Sequence, residues 1–258
     1  MRKINTLVGH SGCDIKLVSE NSILFVRKTS SDIKYNKRLE NQCFKQKEFK
    51  SVSVFAPKVL DFGYKNDLFY FDMEFINGQS FNTIIRNHDL KEIIFYFDII
   101  LKFISENLKN SSIINYKQEI KSKLKSIDIK YSIPKIIITN KSSKLNSGYC
   151  HGDLTFENII IKNNKVYLID FLDSYVDSPI IDISKIKQDL ILNWSNRFEK
   201  PNNLNLIKNQ WLNNYLDSFL QKMDLSIEAI ELQKKITLLR ILPYTDNIFT
   251  QLKILKKI

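Results

Sequence analysis

Two periods of apolar residues alternate along the chain. Asp14 to Val18 and Ile23 to Lys28 are short apolar-rich runs of strand length, joined by Ser19-Glu20-Asn21-Ser22, whose composition suits a hairpin turn. From about Asn36 to Lys50 the period becomes helical, with Leu39, Cys43, Gln46 and Lys50 on one face and no Gly or Pro to interrupt them. Lys58 to Tyr64 and Leu68 to Ile76 read as two further strands around the turn residues Lys65-Asn66-Asp67. Strand, strand, helix, strand, strand predicts a small antiparallel sheet covered by one helix.

Beyond Asn77-Gly78 the pattern is mostly helical. Asp89 to Leu108 carries Ile93, Ile94, Tyr96, Phe97, Ile100, Leu101 and Ile104 as a helical stripe, predicting a core helix. A Lys-rich helix over about Lys117 to Ile127 reads as a solvated face. Residues 140–148 read as loop, and the runs Ile159 to Lys162 and Lys165 to Asp170 flank an Asn163-Asn164 turn. From Ile180 the chain reads as helices, including Asn205 to Lys222 and Ser226 to Leu242, broken at Pro201 and Pro243. The expected class is α+β, with an N-terminal lobe over residues 1–77 and a mostly helical C-terminal lobe over 78–258.

Composition narrows this little. With 258 residues, 43% hydrophobic and 26% charged, the chain is globular rather than disordered or fibrous. The net charge of +11 comes from Lys scattered along the chain, so it carries little weight as a polyanion signal. No Arg-rich recognition helix or RNP-type aromatic strand accompanies it, which argues against a nucleic-acid partner. Cys13, Cys43 and Cys150 share no metal or disulfide spacing and suit a reducing compartment. With no signal-peptide pattern and no apolar run of membrane-spanning length, the expectation is a cytoplasmic protein without a membrane partner.

The chemistry concentrates in His151-Gly152-Asp153-Leu154-Thr155-Phe156-Glu157-Asn158 and in Asp170 of Leu168-Ile169-Asp170-Phe171. Phosphoryl transfer from a nucleotide needs one carboxylate near the acceptor hydroxyl and at least two oxygen ligands for Mg²⁺ across the phosphates. Asp153, Asn158 and Asp170 supply that inventory, whereas singly each would be an ordinary turn residue.

Together these segments resemble the HGDxxxxN and IDF motifs of the aminoglycoside phosphotransferase and choline kinase family, the small-molecule branch of the protein-kinase-like fold. The resemblance implies a bilobal fold, ATP and Mg²⁺ as cofactors, Asp153 as the base or orienter of the acceptor hydroxyl, and Asn158 and Asp170 as metal ligands. Asp61-Phe62-Gly63 spells the protein-kinase metal motif, but it precedes the catalytic loop and falls on an expected strand, so Asp170 is preferred. Val26-Arg27-Lys28 resembles the strand whose Lys binds the α and β phosphates; period-two alternation puts Lys28 on the face of Val26, with Arg27 as the rival. The family's partner for that Lys is a Glu on the next helix, and of Glu40 and Glu48 the layout favours Glu40. Gly9-His10-Ser11-Gly12 stands for the phosphate loop, with Ser11 and Gly12 as cofactor-binding candidates. Glu74 and Ile76 within Met73 to Gly78 resemble the hinge that meets the adenine. Asp182 fits a buried aspartate bracing the catalytic loop, and His151 a structural histidine.

The acceptor is read from the C-terminal lobe. From Ile180 to Ile258, 12 Lys and Arg stand against 8 Asp and Glu, unlike a pocket for a polycationic aminoglycoside. Trp194, Trp211, Tyr215 and Tyr244 could form a choline cage, but Trp211 and Tyr215 read more simply as a core stripe. Asp173, Arg240 and Tyr244, with Ser174 and Asp246 nearby, are the substrate-binding candidates for a neutral or hydroxylated acceptor. The run from Leu168 to Asp182 also resembles a subgroup associated with bacterial surface polysaccharides, implying a kinase for a sugar, polyol or amino alcohol. Choline or ethanolamine kinase, aminoglycoside phosphotransferase, protein kinase and a non-catalytic pseudokinase are the alternatives; no Ala-Pro-Glu motif follows Asp170 to favour a protein kinase.

Overall fold

A computed structural model of the chain describes residues 2–7, 12–109, 111–131, 135–200, 202–223, 225–245, 251 and 254–256. Contacts divide it into two compact units, Met1–Gln79 with Asn158–Asp173, and Ser80–Glu157 with Ser174–Ile258.

The first unit is built on a five-stranded antiparallel sheet of Arg2–Leu7 (β1), Cys13–Glu20 (β2), Ile23–Ser30 (β3), Val59–Lys65 (β4) and Leu68–Glu74 (β5), in the order β1-β2-β3-β5-β4. The β2–β3 turn at Asn21-Ser22 and the β4–β5 turn at Asn66-Asp67 have positive φ at both residues, the conformation that two-residue hairpins need and that Asn and Asp tolerate. Asn36–Lys47 (α1) covers one face, burying Leu39 and Cys43 against Ile15, Val26, Phe69, Phe71 and Met73. The Asn36 amide donates to the Asp67 carbonyl and accepts from the Phe69 amide, so the helix start also fixes the β4–β5 hairpin. The helix ends before the expected Lys50. The Ser51 hydroxyl accepts from the Ser53 and Val54 N–H groups, and this local turn competes with further helix.

Ile159–Lys162 (β9) and Lys165–Leu168 (β10) pair across the Asn163-Asn164 turn. Although this hairpin lies between helices of the second unit in sequence, it packs with the first unit. Phe55 exchanges backbone hydrogen bonds with Val166 and Leu168, Phe49 packs on Phe171, and the Lys45 ammonium donates to the Leu172 carbonyl.

After the short strand Gln79–Ser80 (β6), the second unit contains Phe81–Asn87 (α2), Leu90–Lys109 (α3), Lys117–Tyr131 (α4), Pro179–Leu192 (α5), Asn203–Gln221 (α6) and Ile227–Arg240 (α7). The expected α3 stripe is buried from Ile93 to Leu108. The segment 140–148 is not all loop. Lys144–Ser147 (β8) pairs with Ser112–Asn115 (β7), a long-range match whose one buried apolar residue, Leu145, gives no period to read. On α6 the core stripe is Leu212, Leu216 and Leu220. Trp211 is 38% exposed and stacks on Tyr215, whose hydroxyl donates to Asp98, so the expected Trp211–Tyr215 core stripe is displaced by one residue.

Helix α5 starts at an N-cap Ser178 followed by Pro179 and ends on Asn193 in the left-handed conformation. It is buried from Pro179 to Leu190, with Asp182, Lys185, Lys187 and Asp189 inside the protein. Cys13, Cys43 and Cys150 are buried. Among the described residues no helix is long and apolar enough to cross a membrane.

Candidate active site

In the first unit, strand alternation decides between Arg27 and Lys28. Arg27 points away from the Val26 face and makes a two-pronged pair with Asp72, both bonds 2.6 Å, over the Tyr70 ring. Lys28 is 3% exposed and forms an ion pair with Asp170. Burial pulls the Lys28 ammonium down, to about 8, and nearby Cys13 opposes that pull. Asp170 follows β10 with φ 63°, a left-handed backbone that a carboxylate residue adopts at modest cost. Asn158 precedes β9, and its carbonyl accepts the Ile169 N–H at 3.0 Å, which ties residue 158 to the segment carrying Asp170.

The expected Glu40 partner for Lys28 is not what the fold provides. Glu40 accepts instead from Lys37, one turn earlier on the solvent side of α1, and Asp170 takes Lys28. Asp61 lies on the edge strand β4 and accepts from the Tyr70 hydroxyl, apart from the Lys28 pair. The Gly12 carbonyl accepts from the N–H and hydroxyl of Ser31; Gly9, His10 and Ser11 lie outside the described residues. In the hinge segment the Glu74 N–H donates to Lys58 and the Gly78 N–H to the Ile76 carbonyl. A Cβ on Gly78 would sit 2.3 Å from the Ile161 carbonyl oxygen, so only glycine fits there. Asp173 accepts from the Asn41 amide at 2.8 Å.

In the second unit the loop 151–157 lies along one face of α5. The Asp182 carboxylate accepts the His151 N–H at 2.7 Å and the Gly152 N–H at 2.9 Å. Gly152 has φ 90°, which a side chain would strain, and this accounts for glycine between His151 and Asp153. His151 is buried, its Nδ1 accepting the Asp153 N–H at 3.3 Å. Asp153 pairs with Lys185 at 2.9 Å. Burial would raise its carboxyl, but Lys185, with His151 and Arg240, holds it below the usual carboxylate range.

Asp189 accepts the Phe156 N–H at 2.7 Å and the Ser195 N–H at 2.6 Å. The Ser195 hydroxyl in turn accepts the Glu157 N–H. Lys185, Asp189 and Ser195 were not among the expected site residues. The readable signal was a run of charges inside the Ile-rich stretch 180–190, spaced to share a helical face with Asp182.

Burial pushes the Asp189 carboxyl up to about 6 despite the two N–H bonds it accepts. An unfolded Asp titrates near 3.9, so between about pH 4 and 6 the folded chain binds more protons and its stability falls as pH rises. Asp189→Asn is expected to remove that slope. Urea midpoints of both proteins across pH 4 to 7 check it, and parallel curves would contradict it.

Arg240 closes the last turn of α7, Tyr244 is largely exposed on a short 3-10 turn, and Asp246 lies outside the described residues. A cavity of about 540 Å³ opens along α4, lined by Gln118, Glu119, Ser122, Lys123, Ser126 and Tyr175, so the polar face of this helix borders a recess.

The model of the phosphotransferase enzyme family (APH) matches residues 126–215, the stretch with His151, Asp153, Asn158, Asp170 and Asp182. No curated protein matches the chain. Among solved structures, a thermostable mutant of aminoglycoside phosphotransferase APH(4)-Ia in ternary complex with ADP and hygromycin B is 11% identical, covering 98% of this chain and 93% of that one with a TM-score of 0.54. The apo form of that thermostable mutant is 12% identical, covering 98% and 92%, with a TM-score of 0.53. A putative fructosamine-3-kinase from Haemophilus somnus 129PT is 13% identical, covering 98% and 88%, with a TM-score of 0.54. At these identities the likeness shows the fold. The chain has the bilobal protein-kinase-like architecture, an antiparallel sheet with one helix followed by a mostly helical lobe.

Proposed function

We propose that this chain belongs with the small-molecule phosphotransferases and transfers the γ-phosphoryl group of ATP to a hydroxyl of a sugar, polyol or amino alcohol. The observation that carries this reading is the ion pair of buried Lys28 with part-exposed Asp170, which stands on left-handed backbone beside Asn158. An ammonium taken out of water and a carboxylate at a hairpin end suit a polyphosphate and its counter-ion better than they suit a structural role. Ile76, whose carbonyl accepts the Gly78 N–H, is the hinge residue proposed to meet the adenine.

Asn158 and Asp170 offer only oxygen donors, the set that suits Mg²⁺ shared with phosphates. When bound, the ion neutralises charge across the β and γ phosphates. Among the described residues no group of three or more His, Cys, Asp or Glu is gathered as a metal site, so the phosphates would complete the coordination. Lys28 binds the α and β phosphates, and Gly12 immediately precedes β2. Asp153 orients the acceptor hydroxyl and takes its proton as the acceptor oxygen bonds to the γ phosphorus. The bond to the bridging β–γ oxygen breaks, and ADP leaves with its electron pair.

Arg240 and Tyr244, with Asp173, remain the acceptor-binding candidates. The likeness to an aminoglycoside phosphotransferase keeps that acceptor as the second reading, against which the basic C-terminal segment speaks. The test is ADP release with ATP and Mg²⁺ against sugars, polyols, amino alcohols, choline and aminoglycosides. Turnover of a neutral hydroxyl compound supports the proposal; nucleotide binding with no turnover on any acceptor would favour a pseudokinase.

A further inference from the structure

Helix α5 carries Asp182, Lys185 and Asp189 at spacings of three and four residues, which place them on one face. Each meets a different point of the loop 151–157. Asp182 takes the amides of residues 151 and 152, Asp189 takes the amide of residue 156, and Lys185 reaches a loop side chain, the carboxylate of Asp153.

Lys185 is buried, and its ammonium lies 2.9 Å from Asp153 and 3.4 Å from the Gln188 side-chain carbonyl. A long flexible cation is costly to bury, and straight-chain apolar residues would fill the same volume more cheaply. Its place is therefore better explained by what the charge does to its neighbour than by packing.

We propose that Lys185 is a positioning residue, holding Asp153 in one orientation and in the ionised form that receives the acceptor proton. The proposal rests on the phosphoryl-transfer reading of Asp153 given above. The other groups that favour the ionised Asp153 are His151 from the loop and Arg240 from α7, and both remain when Lys185 is changed. An uncharged residue at 185 leaves them as a partial substitute, and a cation there restores the arrangement.

The experiment follows the Asp153 carboxyl by carbon NMR in the nucleotide-free protein, with Asp153→Asn identifying its signal. Wild type, Lys185→Met and Lys185→Arg are titrated. The expected result is a rise in the Asp153 midpoint of about one pH unit or more in Lys185→Met, with Lys185→Arg within about half a unit of wild type. The acid limb of kcat/KM for phosphorylation moves to higher pH by the same amount, about tenfold in rate per unit on that limb. If Lys185→Met does not fold, Lys185→Gln is read in its place. An unchanged Asp153 midpoint in a folded, uncharged variant overturns the proposal, as does loss of activity at every pH with the limb in place. Absence of turnover by wild type instead counts against the phosphoryl-transfer reading, while the titration still decides whether Lys185 governs Asp153.

Discussion

Asp153→Asn is expected to keep nucleotide affinity and to lose about 10²- to 10⁴-fold in kcat, the range that general-base removal spans. The amide matches the carboxylate in size, so the loop stays braced by Asp182, but it accepts no proton and no longer balances Lys185. The side chain of Asp153 is a quarter exposed, so the lost ion pair is screened by water and costs only about 1–2 kcal/mol of stability. ADP release measured with the best acceptor, alongside ATP affinity by calorimetry, separates the two effects. A variant within twofold of wild-type kcat would remove Asp153 from the mechanism.

The second large effect is expected in stability. Asp182 is 1% exposed and accepts two backbone N–H groups, and Asp182→Ala strands both donors inside the protein. Each unmet buried donor costs about 1–3 kcal/mol, so the variant loses about 2–6 kcal/mol of a total of about 5–15. For a chain of this length each kcal/mol lowers Tm by about 2–4 °C. Asp182→Asn keeps one acceptor and should lose about half as much. Urea denaturation of the three proteins gives the order, and an alanine variant within about 0.5 kcal/mol of wild type would show that the loop does not depend on this brace. Activity should fall with stability, because Gly152 at φ 90° has no other side chain among the described residues holding its amide.

Both effects concern residues that stood out in the sequence, and the reason is physical. Gly152, Asp153 and Asp182 are singular in type: a glycine where the backbone turns positive, and carboxylates beside apolar residues where charge is expensive. The partners around them were less legible. Lys28 was the expected phosphate-binding cation, yet Asp170 and not Glu40 meets it, because α1 turns Glu40 toward Lys37 while the β9–β10 hairpin folds back onto the first unit. Trp211 and Tyr215 have helical spacing, but two faces of α6 carry apolar residues and period alone does not say which is inside.

By itself, then, the sequence determined the features written in short-range order: the hairpins with Asn-rich turns, the long α3 stripe, and a loop motif whose residue types suit one chemistry. These follow from backbone sterics and periodic burial, which act over a few neighbours. Only the tertiary structure decided that β8 pairs with β7, that a hairpin at residues 158–173 joins the first unit, and that Lys185 and Asp189 reach the loop 151–157. Those contacts join residues some 30 or more apart in the chain, and their energy comes from burying charges and amides together, which no local pattern records.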